Sequence, residues 1–207
     1  MWFLRELLYT IFPPRVDERA LAMLSDETLL SSLTCRQIQE GVVSLLPYRT
    51  PLVRACVREA KYRGNQKAAR LLGTVLAEFI ASYKEDVDAY ERSSLVLLPI
   101  PLSRQRRRER GYNQVHVIAA YAGSLLQVPP TPHLLSRVRH TKAQTTLSKR
   151  DRLQNLEGAF RARSPLDPAA LYVLVDDVVT TGATLMSAKS ALADAGAKHI
   201  LCVGIAH

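Results

Sequence analysis

The sequence predicts an α/β protein built on a parallel β-sheet with helices on both faces. Short apolar runs of strand length occur at positions 95–98, 171–175 and 200–205. Between these runs lie segments with apolar residues every three or four positions, the spacing of an α-helix face. The chain contains no internal repeat. Because strands and helices alternate along the chain, a parallel sheet with crossover helices is the expected architecture.

The first 50 residues predict a small appendage in front of this core. An apolar opening ends at Pro13 and Pro14, and short apolar runs among polar residues follow. This pattern predicts two or three short helices and a loop. We therefore expect a degenerate N-terminal appendage over residues 1–50 and the α/β domain over residues 51–207.

The α/β domain opens with a helical pattern over residues 51–83, which a basic turn at 61–65 divides into two helices. The apolar face of the second helix consists of Leu72, Val75, Leu76, Phe79 and Ile80. The run at 95–98 is typical of a strand buried on both faces, and it ends at Pro99. An arginine-rich loop follows. The next helix has its apolar face at Ile118, Tyr121, Ala122, Leu125 and Leu126.

The second half of the domain repeats the strand and helix pattern. A weaker strand is expected at 133–138, and residues 139–148 lack periodicity, which predicts a mobile loop. The clearest strand, Leu171 to Val175, runs directly into Asp176 and Asp177. A helix over residues 184–195 follows, and Gly196 is suited to end it in the left-handed conformation. The inward positions of this helix are Leu185, Ala188, Leu192 and Ala195.

Composition restricts the function classes. The 207-residue chain carries a net charge of +9, which favours phosphate-rich small molecules, nucleic acid or acidic membrane surfaces as partners. No run approaches the roughly 18 apolar residues of a membrane span, and residues 1–12 lack a signal-peptide pattern, so we expect no membrane insertion. None of the three cysteines belongs to a Cys-x-x-Cys pair, which argues against zinc and favours a reducing, cytoplasmic setting.

The segment from Val173 to Leu185 combines two chemical features of a ribose 5-phosphate site. Asp176 and Asp177 offer acceptors to a pair of donors such as the 2′ and 3′ hydroxyls of ribose. Gly182 permits close backbone approach, and the helix that begins there directs N–H groups and a positive dipole end toward an anion. The expected ligand contacts are Asp176, Asp177, Val178, Thr180, Thr181, Gly182, Ala183 and Thr184.

A second basic segment, Ser103 to Arg110, has five arginines in eight positions. Guanidinium groups match the geometry of pyrophosphate and also that of a nucleic-acid backbone. Arg110, which precedes Gly111, is a candidate for stabilising a departing pyrophosphate, and with Asp177 it is a candidate catalytic residue. Candidate nucleic-acid contacts are Arg104, Arg106, Arg107 and Arg108. A solvated helix start is an equally good interpretation of Arg107 and Arg108.

Several segments resemble one known family. The stretch around Asp176 and Asp177 is similar to the phosphoribosyl pyrophosphate (PRPP) motif of type I phosphoribosyltransferases. The rest resembles the ComF/GntX family of competence-associated phosphoribosyltransferase-like proteins over about residues 50–207. The segments that carry this resemblance are Lys61-Tyr62-Arg63-Gly64, Leu98-Pro99-Ile100-Pro101, Arg110-Gly111-Tyr112-Asn113-Gln114, Arg137-Val138-Arg139 with Thr141 and Gln144, and Arg150 with Asn155 and Gly158-Ala159-Phe160.

The resemblance implies a fold and a division of roles. It implies a five-stranded parallel sheet with a partial hood, PRPP bound with Mg²⁺, and a flexible lid around residues 139–150. The Mg²⁺ ion would be held through PRPP and not directly by side chains. Residues expected near pyrophosphate or the second substrate are Lys61, Arg63, Pro101, Arg110, Asn113 and Gln144.

The chain departs from the family at its N-terminus. Members usually open with a four-cysteine zinc module, but only Cys35 is present in this region. We therefore expect no zinc. The resemblance leaves two functions open: phosphoribosyl transfer from PRPP to an acceptor that the sequence does not identify, and non-catalytic handling of single-stranded DNA in natural transformation. A regulator that senses a phosphoribosyl ligand is a third possibility. The sequence indicates no oligomeric state.

Overall fold

The computed structural model describes residues 16–86, 94–138, 158–163 and 165–207. The helices of this part of the chain are α1 (Val16–Met23), α2 (Asp26–Leu30), α3 (Pro51–Arg63), α4 (Gln66–Asp86), α5 (Arg104–Arg110), α6 (Gln114–Leu126) and α7 (Ala183–Asp194). The strands are β1 (Arg36–Gln39), β2 (Val42–Leu46), β3 (Leu95–Pro99), β4 (Leu135–Arg137), β5 (Phe160–Ala162), β6 (Leu171–Val178) and β7 (His199–Ala206).

A mostly parallel sheet forms the centre of the molecule, which confirms the predicted fold class. Its strand order is β1-β2-β7-β6-β3. The strands β2, β7, β6 and β3 are parallel to one another, whereas β1 pairs antiparallel with β2. The expectation of five parallel strands is therefore wrong for β1, because a two-residue turn joins it to β2 and a turn that short permits only antiparallel pairing.

The interpretation of residues 1–50 as helices and a loop outside the core is wrong for β1 and β2. The two helices α1 and α2 are present, but β2 lies inside the main sheet and pairs with β7. Val42, Leu45 and Leu46 are fully buried there. A five-residue apolar run is too short for periodicity to separate strand from helix. Whether the first 50 residues form a unit of their own stays a prediction.

The two faces of the sheet carry different layers. Side chains alternate along β6, so Leu171, Val173 and Val175 face the core formed with α1 to α4 and α6. Tyr172 and Leu174 face the second core, which contains α7 and the β4–β5 ribbon. We call the first layer the hood side and the second the α7 side.

Most predicted helix faces and strands are confirmed. Leu72, Val75, Leu76 and Ile80 of α4 are fully buried. The basic turn at 61–65 separates α3 from α4 through Gly64, whose φ is +62°. Leu125 is 60% exposed, so its assignment to the apolar face of α6 is wrong. It falls in the last turn of the helix, where little packs against it.

The predicted strand at 133–138 is present as β4, but it lies outside the main sheet. It pairs antiparallel with β5 in a separate ribbon of two strands. The loop predicted at 139–148 lies outside the described residues. Cys56 and Cys202 are buried, Cys35 is exposed, and all three are free thiols. Across the described ranges, no helix has the length and apolarity needed to cross a membrane.

Candidate functional site

The site begins at the carboxyl end of β6, which extends further than predicted. Asp176 pairs with Gly204 and Val178 with Ala206, so β7 holds both acidic residues inside the strand. A strand sends successive side chains to opposite faces. Asp176 therefore continues the α7 side of the sheet, and Asp177 continues the hood side.

Asp177 is buried on the hood side of the sheet. It is 6% exposed, and its Oδ2 atom lies 2.9 Å from Lys61 Nζ of α3. Gln114 Nε2 of α6 donates a hydrogen bond of 2.7 Å to the same oxygen. The Val178 N–H donates to Oδ1 at 2.8 Å. Each oxygen of this carboxylate thus has a partner within the protein.

These partners set the charge state of Asp177. Burial alone would raise the pKa of this carboxyl, but the Lys61 ammonium and the hydrogen bonds from Lys61, Gln114 and the Val178 amide outweigh burial and lower the pKa. Asp177 is consequently ionised and paired at neutral pH. In this arrangement it joins β6 to α3 and α6.

Asp176 lies in different surroundings. Burial, followed by the neighbouring negative charge of Asp177, raises the pKa of Asp176 to about 7. The Asp177 N–H donates to its Oδ1 at 2.9 Å, and the positive charges of Lys61 and Arg106 partly offset the rise. Asp176 is only partly buried, and it lines a small pocket together with the loop that follows β6.

That loop connects Val178 to α7, and its backbone is arranged around Gly182. Gly182 has φ +76° and occupies the N-cap position of α7, where it has no side chain to cap the helix. The Ala183 N–H donates to Thr181 Oγ1 at 3.4 Å. The pocket is lined by Asp176, Val178, Val179, Thr180, Thr181, Gly182, Ala183, Thr184 and Leu185. All predicted ligand contacts except Asp177 therefore line one pocket.

The arginine-rich segment lies at the same edge of the sheet because β3 ends beside β6. Pro99 pairs with Val175, so the chain leaves the sheet next to Asp176. Ser103 caps α5 by accepting a hydrogen bond from the Arg106 N–H. Arg106 is close enough to lower the pKa of Asp176 and that of Arg137, although burial is the main cause of the lowered pKa of Arg137.

The other four predicted arginines differ in exposure. Arg104, Arg107 and Arg108 are exposed, and Arg104 and Arg108 line two surface depressions along α5. Arg110 is partly buried, donates to Gln114 Oε1 at 2.7 Å, and lies over the Tyr62 ring at 5.4 Å. Arg110 is therefore linked to Asp177 through Gln114.

Asn113, a predicted contact, and its neighbour Tyr112 form hydrogen bonds within the protein. Asn113 donates from Nδ2 to the Ile100 carbonyl at 3.0 Å and accepts from the Val115 N–H at the start of α6. Tyr112 accepts from the Gly64 N–H and donates to the Ala60 carbonyl, both at 2.7 Å. The two Tyr112 bonds join the C-terminal end of α3, which carries Lys61, to the segment before α6.

The remaining predictions are not brought to the pocket. Arg63 is exposed and Pro101 partly buried, and neither is among the residues that line the loop pocket. Gln144 lies outside the described residues. Sequence reasoning missed Gln114 as a partner of Asp177, although it stands in the Arg-Gly-Tyr-Asn-Gln segment. It also missed Gln39, whose side chain lies against Gly182; no local pattern identifies that residue.

An α/β sheet with a strand, loop and helix of this form defines a phosphoribosyltransferase-like architecture. Comparison with known proteins extends this classification. The chain is 37% identical over 112 residues to competence protein F of Haemophilus influenzae, and 32% identical over 136 residues to competence protein ComFC of Bacillus subtilis. These alignments cover 53% and 66% of the chain. The chain spans about half the length of these two relatives, 49% and 51%.

A third relative is matched over more of its length. The chain is 33% identical over 167 residues to the DNA utilization protein YhgH of Salmonella typhimurium, covering 78% of the chain and 69% of that protein. A scan of protein-family models finds no match. The sequence identity to these relatives and the length of the alignments nevertheless show that the chain belongs to the ComF family.

Proposed function

We propose that the chain binds PRPP with Mg²⁺ at the loop pocket and transfers its phosphoribosyl group to an acceptor. One observation carries this proposal: a carboxylate, Asp176, lines the same small pocket as the N-terminus of α7, where the N-cap residue Gly182 has no side chain to cap the helix. A carboxylate accepts hydrogen bonds from hydroxyls, and a helix N-terminus favours an anion. A sugar phosphate presents both groups within the span of one loop.

The remaining residues fit the supporting roles. In the transfer, the bond between C1 of ribose and the pyrophosphate oxygen breaks, and its electron pair leaves on pyrophosphate. A bond forms from the acceptor's nucleophilic atom to C1, and the proton of that atom passes to solvent. Arg106 and Arg110, at the same edge of the sheet, would stabilise the charge that develops on the leaving group.

The metal requirement follows from the ligand. Within the described ranges, no group of three or more acidic, histidine or cysteine side chains is placed to hold an ion. In the proposal Mg²⁺ is held by oxygens of PRPP, where it would neutralise pyrophosphate charge. The protein supplies the positioning of the diol and of the 5-phosphate. We also propose a cytoplasmic setting, which the three free thiols support.

Calorimetric titration with PRPP and Mg²⁺ tests the proposal. Wild-type protein should bind saturably, and Asp176→Asn should bind at least tenfold more weakly because it loses an ionised acceptor. Gln105→Asn, a change on the exposed side of α5, is the matched control and should bind like the wild type. Absence of binding in the wild type would reject the proposal. Once binding is established, pyrophosphate release with a panel of nitrogen acceptors would identify the second substrate.

A second candidate function is binding of single-stranded DNA. The relatives carry the names competence protein and DNA utilization protein, and the observation that favours this function is the exposed surface of α5. Arg104, Arg107 and Arg108 are exposed, and none of them forms an ion pair within the described residues. Guanidinium groups without protein partners suit a phosphate backbone.

Salt dependence separates the two functions. DNA binding through these arginines should weaken steeply with salt, and Arg107→Ala with Arg108→Ala should reduce the slope of log K against log salt by about 1 to 2. Asp176→Asn should leave DNA affinity unchanged. Equal DNA binding by the double arginine variant and the wild type would remove α5 from this role.

A further inference from the structure

Gln39, at the end of β1, lies against Gly182 of the loop after β6. It is placed behind this glycine and is not itself among the residues that line the loop pocket. A Cβ atom built on Gly182 would meet Gln39 Nε2 at 2.6 Å. The amide nitrogen is buried and has no hydrogen-bond partner within the described part of the chain. A buried N–H donor without a partner is costly, and such groups in a folded protein call for an explanation.

The register of the β1–β2 hairpin explains why this side chain reaches the loop. Gln37 pairs with Val43, but Gln39 pairs with Val42, so Ile38 is an extra residue that forms a bulge. Paired residues share a face of the sheet, and Val42 faces the α7 side. In a regular ladder, Ile38 would oppose Val42 and Gln39 would face the hood side. The bulge therefore directs Gln39 toward Gly182.

The turn of the hairpin makes a second contact with α7. A Cβ atom on Gly41, whose φ is +75°, would meet Lys189 Nζ at 2.7 Å. The hairpin thus follows α7 from its N-terminus toward its middle.

We propose that Gln39 donates a hydrogen bond from Nε2 to the phosphomonoester held by the loop after β6, so that the β1–β2 hairpin is part of the ligand site. The inference rests on the function proposed above and adds a residue from outside the loop. The bound phosphate oxygen is the partner that the buried amide lacks. Gly182 leaves the space through which the amide approaches the loop.

Calorimetry with PRPP and Mg²⁺, and with ribose 5-phosphate alone, tests this role. Gln39→Glu replaces the donor with a negative charge and should weaken both ligands by at least tenfold, the loss expected for a hydrogen bond to a charged group. Gln39→Lys restores a donor with positive charge and should bind at least as tightly as the wild type. Gln37→Glu, the same change two residues away on the exposed side of β1, should change affinity less than threefold.

The outcomes distinguish this inference from the function on which it rests. If the wild type binds neither ligand, both are overturned. If the wild type binds and Gln39→Glu binds equally well, only the role of Gln39 is overturned. If Gln39→Glu and Gln39→Lys weaken binding equally, Gln39 acts on the shape of the hairpin and the donor role is rejected. Thermal unfolding of each variant shows whether it is folded. Gln39→Met, which also lacks the donor and should weaken both ligands, replaces Gln39→Glu if that variant is not folded.

Discussion

Asp176 and Asp177 are neighbours on one strand, yet they lie in two different regions of the molecule. On the hood side, Asp177 is buried and bonded to Lys61 and Gln114. On the α7 side, Asp176 is partly exposed beside the start of α7, whose N-cap residue is Gly182. Because successive side chains of a strand point to opposite faces of the sheet, two identical neighbouring residues can have different surroundings and different roles. We infer that Asp177 chiefly holds the site together and that Asp176 meets the ligand.

Removing the cation from the hood side should have the largest effect. Lys61→Met leaves the buried Asp177 carboxylate without its ion pair, and loss of one partner of a buried pair costs about 3 kcal/mol. Urea unfolding at pH 7.5 measures this loss. Arg63→Met, an exposed change in the same helix, should cost less than about 0.5 kcal/mol. Equal effects of the two changes would contradict the structural role of Lys61.

A double variant sharpens this result. Asp177→Asn in the Lys61→Met background removes the unpaired charge and should recover about half of the lost stability. No recovery would mean that Lys61 stabilises the hood by packing and not through Asp177.

Neutralising the two acids should change stability in opposite directions. At pH 8, Asp177→Asn should destabilise by about 1 to 2 kcal/mol, because Lys61 loses its partner. Asp176→Asn should stabilise by about 1 kcal/mol, since it removes a like charge at a site where burial disfavours ionisation. Urea unfolding of both variants provides the measurement. A loss of stability in both variants would contradict the prediction that Asp177 stabilises the fold and ionised Asp176 destabilises it.

The pKa shifts predict how these effects depend on pH. The folded pKa of Asp176, about 7, lies above its unfolded value, so wild-type stability falls relative to Asp176→Asn as pH rises from about 4 to 7. The folded pKa of Asp177 is lowered, so its contribution is present above the unfolded pKa of about 4 and is lost in more acidic solution. Urea unfolding from pH 3 to 8 should show an Asp176→Asn advantage that disappears near pH 4. An advantage independent of pH would contradict the raised pKa.

Ligand affinity should also depend on the ionisation of Asp176. A ribose diol needs an ionised Asp176, so affinity for ribose 5-phosphate should fall about tenfold per unit as pH drops below 7. The ligand phosphate itself titrates near pH 6, and Asp176→Asn serves as the control for that contribution. Identical pH profiles in the variant and the wild type would exclude Asp176 as the linked group.

The smallest effects are expected from alanine substitutions at two glycines with similar backbone conformations. Gly182 and Gly111 have φ of +76° and +78°, but a Cβ on Gly111 would meet nothing within 4 Å. Each change to alanine should cost about 1 kcal/mol of stability, because both positions are left-handed. Only Gly182→Ala should weaken PRPP, since it displaces Gln39 and crowds the loop. Weaker PRPP binding in both variants would attribute the effect to general destabilisation.

Much of the α/β core and the loop pocket was determined by the sequence itself, because the signals are local. The apolar run at 171–175, the acids that follow it and the glycine before α7 each act within a few residues. These features predict a strand, a turn and a helix start without knowledge of the rest of the chain. The confirmed face of α4 has the same basis in helical periodicity.

Only the tertiary structure decided which partners the site residues have. Lys61 and Gln114 meet Asp177 because α3 and α6 pack on the same face of the sheet. Gln39 meets Gly182 because β2 adds to β7 and a bulge shifts the register of β1. Burial and charge at a carboxylate depend on such distant segments, so the opposite pKa shifts of two adjacent aspartates could not be derived from the local sequence that they share.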